Sequence, residues 1–162
     1  MILKQFRNLL HQKKEQILIG LYIFFFLYSC LMIWEVFIGP YRSHESIRRY
    51  NLYPFKTITE FLLNNGKYTF EVIFINLIGN IITFIPLGFF ISLLFRKSCK
   101  LLNTSLLCIF IIICIEIGQF ILNVGVLDID DIILNTLGCI LGITIYKRII
   151  SLYNKKTYKL NL

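Results

Sequence analysis

Four long apolar runs leave this chain essentially one kind of fold. They cover residues 17–38, 72–95, 101–122 and 132–146. About 20 residues of helix cross a bilayer core, so each run reads as a transmembrane helix, the last being the shortest. Composition agrees: 57% of the residues are hydrophobic and 16% charged, against roughly 45–50% and 25% in soluble domains. A soluble globule is excluded. The expected fold is all-α, a polytopic membrane protein built as a four-transmembrane-helix bundle. The membrane domain covers 17–150, with a basic segment over 1–16 before it and a basic tail over 151–162 after it.

The first run is too long for a secretory signal, and bulky Trp34 and Phe37 fill its far end. Gly39-Pro40 stops it. In the connection over 39–71, Pro54 suits the first position of a helix, and Phe55, Ile58 and Leu62 recur at helical spacing before Gly66. A short extracytoplasmic amphipathic helix at the membrane surface is expected between Pro54 and Asn65. In the second run, Asn76, Asn80 and Thr83 fall on one helix face, Pro86 should kink the helix, and Gly79 and Gly88 permit a bend or a close approach. Gly138 and Gly142 form a GxxxG pair, suited to a close helix contact within one chain or between two copies.

The net charge of +8 flanks the apolar runs and builds no nucleic-acid-reading element. Twelve of the seventeen Lys and Arg lie on the side of the termini; the other side has Arg42, Arg48, Arg49, Lys56 and Lys67. The positive-inside rule makes both termini cytoplasmic. Cys30, Cys108, Cys114 and Cys139 lie in apolar runs and Cys99 in a basic loop, none with a metal or redox spacing; they read as small buried side chains.

Polar residues inside the runs carry the functional signal. Glu116 lies about 9 Å below the outer end of its span, Asn76 and Asn80 about 6 and 12 Å below theirs, and Asn135 about 5 Å. Glu116, Gln119 and Asn123 share one face, and Asp128, Asp131, Asn135, Gly138 and Gly142 share another if the fourth helix starts by Asp128. Three helices thus place polar groups at matched depth, which points to an outward-opening polar pocket. A charge in mid-helix costs on the order of 3 kcal/mol to insert, so Glu116 is functional or paired, with Arg48 or Arg49 the natural partner. Asp128 and Asp130 either join this site or cap the fourth helix, and Glu35 reads as an interfacial residue.

The segments RRYNLYPF (Arg48 to Phe55), NIITFIPLGFF (Asn80 to Phe90), EIGQF (Glu116 to Phe120) and DIDDIILNTLGCILG (Asp128 to Gly142) resemble the VanZ family in order and spacing, over about residues 48–146. The resemblance places the family's signature on Arg48, Asn51, Pro54, Asn80, Pro86, Gly88, Glu116, Gln119, Asp128, Asp131, Asn135 and Gly138. Many members carry an Arg in the loop before the acids. Here that stretch is Val124-Gly125-Val126-Leu127, so if that Arg meets an anionic head group, this chain uses another base or lacks the contact. The resemblance implies a bacterial inner-membrane protein. It also implies an accessory role in resistance to teicoplanin, a glycopeptide with a fatty acyl chain.

Two functions fit these residues. The first is a binding protein whose outer-leaflet pocket engages a membrane lipid, a lipid-linked wall precursor or a lipoglycopeptide, as a monomer or a homo-oligomer. Its ligand contacts would be Arg48, Asn51, Asn80, Glu116, Gln119, Asp128, Asp131 and Asn135, with Pro54, Pro86, Gly88, Gly138 and Gly142 structural. The alternative is a membrane enzyme acting on a lipid-linked wall precursor. Glu116 with Asp128, Asp130 and Asp131 would hold a divalent cation or divide into general acid and base. Against it, no Ser-His, Cys-His, HExxH or phosphate-loop pattern is present, and no cofactor is implied.

Overall fold

The computed structural model describes residues 2–39, 49–63, 66–95 and 100–160. Helix α1 (Ile2–Phe37) is followed by a two-residue strand β1 (Tyr50–Asn51) and helix α2 (Lys56–Leu63). Next come α3 (Phe70–Phe74), a π-helical turn (Ile75–Gly79) and α4 (Asn80–Leu94), which together make one span. Helix α5 (Leu101–Leu122), strand β2 (Leu127–Asp128) and α6 (Ile129–Leu160) complete the chain. The four apolar spans have 23, 25, 22 and 27 residues, hence lengths of roughly 33–40 Å, enough for a bilayer. In hydrocarbon no water can satisfy backbone groups, so helices that bond internally are the form such spans take.

The bundle keeps its apolar side chains on the outside as well as within. Leu106, Phe110, Ile117 and Ile121 of α5 are exposed, while Thr104, Cys108, Ile112, Glu116 and Gln119 form its buried stripe at helical spacing. All four spans meet at one core, through Met32 and Val36 of α1, Phe84, Leu87 and Ile91 of α4, Cys108 and Ile112 of α5, and Cys139 and Ile143 of α6. A smaller cluster of Phe90, Leu93 and Tyr146 lies toward the far end of α4, packed against Phe25 and Phe89.

Helices α4 and α6 form the tightest seam. A Cβ on Gly88 would stand 2.0 Å from the Cys139 carbonyl oxygen, one on Gly138 2.2 Å from that of Ile81, and one on Gly142 1.9 Å from that of Ile85. The three glycines therefore bring the two backbones together within one chain. Apolar burial gives helices little reason to associate in lipid, so close packing of this kind is a main source of attraction.

Several local features differ from the sequence expectations. Helix α2 starts at Lys56, not at Pro54; Phe55 before it has φ 63°. Pro86 lies inside α4, and the span also has a π-helical turn that no periodicity announced, ending about two turns upstream of the proline. The Tyr28 hydroxyl donates to the Thr83 carbonyl at 2.7 Å, in the turn where Pro86 has no N–H to offer the ladder. The strands β1 and β2 pair in parallel, Tyr50 with Leu127 and Asn51 with Asp128, which periodicity gave no reason to expect. Asp128 thus belongs to a strand and α6 begins after it, then runs past Tyr146 to Leu160; α1 begins at Ile2. Cys30 and Cys114 are exposed on the bundle surface, whereas Cys108 and Cys139 are buried; Cys99 lies outside the described residues.

Candidate functional site

At the end of the bundle where α6 begins, two carboxylates tie the long connection down. Asp128 Oδ1 accepts from Asn51 Nδ2 at 3.1 Å and from the Asp130 backbone N–H at 2.9 Å. Its Oδ2 accepts from the Thr57 hydroxyl at 2.6 Å, and Asn51 Nδ2 also reaches Thr57 Oγ1 at 3.0 Å. Asp128 therefore caps its own helix and grips β1 and α2 together. Asp130 has no exposed surface, yet it serves α2: Oδ1 accepts from the Phe55 N–H at 2.5 Å and Oδ2 from the Ile58 N–H at 3.1 Å. It satisfies donors that a helix start leaves open, from across the fold.

Beneath this clasp lies a chamber of about 320 Å³ between the spans. Helix α1 contributes Glu35, the second span Asn76, Asn80 and Thr83, α5 Glu116 and Gln119, and α6 Asp131 and Asn135. Glu116, Gln119 and Asn135 are buried. The Asn80 amide donates to Asp131 Oδ1 at 2.6 Å and so joins the second span to α6. The Gln119 amide donates to the Val36 carbonyl at 2.9 Å, one of the last carbonyls of α1 and without a helical donor of its own. Asn135 is 3% exposed, and its Oδ1 has no hydrogen-bond partner among the described residues. Asn76 lies in the π-helical turn and Asn80 directly follows it, and both residues line the chamber.

A second cavity of about 510 Å³ lies above, under α2 and the loop of Val124, Gly125 and Val126. It shares Asn76 and Asp131 with the chamber and adds the cations Arg49 and Lys56, with Asn51, Thr57 and Tyr68. Next to it, the Lys67 Nζ stands 4.9 Å from the Tyr68 ring centre, and a hydrogen bond to Tyr68 raises its pKa above the usual lysine range. The upper cavity thus sets two cations beside the carboxylates of Glu60, Asp128 and Asp131, and the lower one holds carboxylates and amides.

The structure brings Asn80, Glu116, Gln119, Asp131 and Asn135 to the chamber and Asn51 and Asp128 to its roof. Arg48 lies outside the described residues. Gly88, Gly138 and Gly142 lie in the α4–α6 seam, Pro86 lines the α1–α4 side and Pro54 is exposed in the turn before α2. Glu35, read from sequence as interfacial, lines the chamber too. Sequence reasoning also passed over Thr57 and Lys56. Only the run of polar residues on the early face of α2 hinted at them. Among the described residues no group of three His, Cys, Asp or Glu side chains is placed to hold a metal ion; two of the clustered acids are bonded into the clasp instead.

Four apolar spans around a polar cavity define a multi-pass membrane protein. Residues 19–151 match the model of the VanZ/LLP1 family, and the chain belongs to that family. It is 31% identical over 120 residues to the protein VanZ of Enterococcus faecium, covering 74% of this chain and 69% of that one. No solved structure matches it.

Proposed function

We propose that this protein is an accessory protein of the cell envelope that holds the polar head of an amphiphile in its chamber. Through that contact it contributes to tolerance of lipid-bearing glycopeptides such as teicoplanin. The observation that carries the reading is Asn135. Its carbonyl oxygen is buried, meets no partner among the described residues and belongs to a residue lining the chamber. A buried acceptor left unmade costs roughly 1–3 kcal/mol, which a ligand N–H or O–H would recover. Glu35, Glu116 and Asp131 around it are acceptors as well. The chamber therefore suits hydroxyls or an amine. Above it, Arg49 and Lys56 are the cations that would meet a phosphate or carboxylate, in a lining they share with Glu60, Asp128 and Asp131. The charge distribution supports cytoplasmic termini. The chamber then opens to the outer leaflet, α2 lies at the outer interface, and an acyl tail is anchored at the right depth. The similarity to VanZ points the same way.

Expression in a susceptible Gram-positive host tests this. The inhibitory concentration of teicoplanin should rise more than that of vancomycin, which has no acyl tail. Glu116→Gln should abolish the difference at equal protein level. Equal shifts for the two drugs would mean a general wall change and sink the reading. Lipid analysis of the purified protein adds a direct readout: a stoichiometric amphiphile supports binding, and its turnover would replace binding with catalysis.

A further inference from the structure

We infer that the chamber has a side entrance between α1 and α4, through which the acyl chain of a membrane amphiphile runs into lipid while its head stays inside. This rests on the proposed function and adds the route and the binding pose. A crevice of about 270 Å³ separates the two helices, walled by Leu31 and Trp34 on one side and Ile82 and Pro86 on the other. Glu35 and Thr83 line both this crevice and the chamber, so the two spaces adjoin at these side chains. Polarity falls along the path, from carboxylates and amides, across that rim, to side chains as exposed as Leu31 at 67% and Ile82 at 56%. A head group needs hydrogen-bond partners and a tail needs only hydrocarbon. A head that entered from above would have to draw its tail out of lipid, losing transfer free energy with every methylene. A sideways route avoids that loss.

Helix α1 is also the span with the least contact to the rest. Only 6% of its apolar window is buried, against 39% for those of the second and fourth spans. Besides its core packing, the helix is tied where Tyr28 bonds the Thr83 carbonyl and where the Val36 carbonyl accepts from Gln119. The crevice lies between these ties.

Photo-crosslinking of the full chain in phosphatidylcholine nanodiscs tests the route. One probe is phosphatidylglycerol with a diazirine on an acyl chain; its head has a phosphate and two hydroxyl donors. The other is phosphatidylcholine with the same chain and no head-group donor. The first should label the segments around Leu31 and Ile82 about tenfold more than the second, the worth of one or two net hydrogen bonds. The pair Leu31→Trp with Ile82→Trp should suppress that excess, and Leu31→Ala with Ile82→Ala should preserve it. Asn135→Leu should bring the two probes to parity. A head-dependent excess confined to the mouth near Tyr50 and Gly125 would overturn the side entrance and leave the chamber reading standing. Parity of the two probes on the unaltered protein would overturn both, reducing the crevice to a strip of boundary lipid.

Discussion

The Asp130 carboxylate stands at the first turn of α6, fully buried, and both of its oxygens accept from the start of α2. Asp130→Ala would leave the N–H groups of Phe55 and Ile58 without acceptors, a loss of about 1–3 kcal/mol. Faster hydrogen exchange at residues 55–58, with α5 unchanged, is the expected signature. Asn135 predicts the opposite balance. Asn135→Leu removes an acceptor that lacks a partner among the described residues, so the ligand-free protein should gain up to about 1 kcal/mol in thermal unfolding while losing its teicoplanin phenotype. Glu35→Gln should weaken that phenotype as well, because Glu35 lines the same chamber as Glu116. If inhibitory concentrations are unchanged, Glu35 lies on the wall without taking part. Its place in the chamber wall was hard to read in the sequence because it lies two residues from the end of α1, where a carboxylate can also reach water.

The seam between α4 and α6 can be tested by single methyl groups. Gly142→Ala puts a carbon against the Ile85 carbonyl and the Phe89 amide. Overpacking of this kind costs about 1–3 kcal/mol, and the unfolding midpoint in detergent should fall by roughly 3–10 °C. Gly20→Ala, with nothing within 4 Å of the new carbon, is the matched control and should not lower it. The spans themselves were legible in the sequence, because lipid demands an apolar run of a given length and Glu116, Asn80 and Asn135 interrupt such runs at similar depth. The strand pair was not: Tyr50-Asn51 and Leu127-Asp128 are two residues each, too short for any periodicity, and they exist because distant segments meet. The π-helical turn leaves no mark in composition either. Asp130 resembled a cap for its own helix because spacing shows what lies nearby in the chain, and its partners lie 75 and 72 residues away.

At the level of the whole molecule, the distribution of Lys and Arg predicts cytoplasmic termini, which labelling can check. Single cysteines at Lys13 and Lys155, in a cysteine-free background, should react only after the membrane is permeabilised. Cysteines at Tyr50 and Gly125 should react in intact cells, and protection at Gly125 would reverse the orientation. The clasp also sets an order of events during synthesis. Asn51 finds Asp128 only 77 residues later in the chain, an interval of about 4–15 s at ribosomal rates. Throughout that interval the connection emerges without its anchor, and the second and third spans must enter lipid with Asn80 and Glu116 before α6 exists to enclose them. The protein's polar interior is therefore the last thing to be made. A nascent chain halted before residue 127 has three spans and no closed chamber, a form that membrane quality control would meet with its carboxylate and amides uncovered.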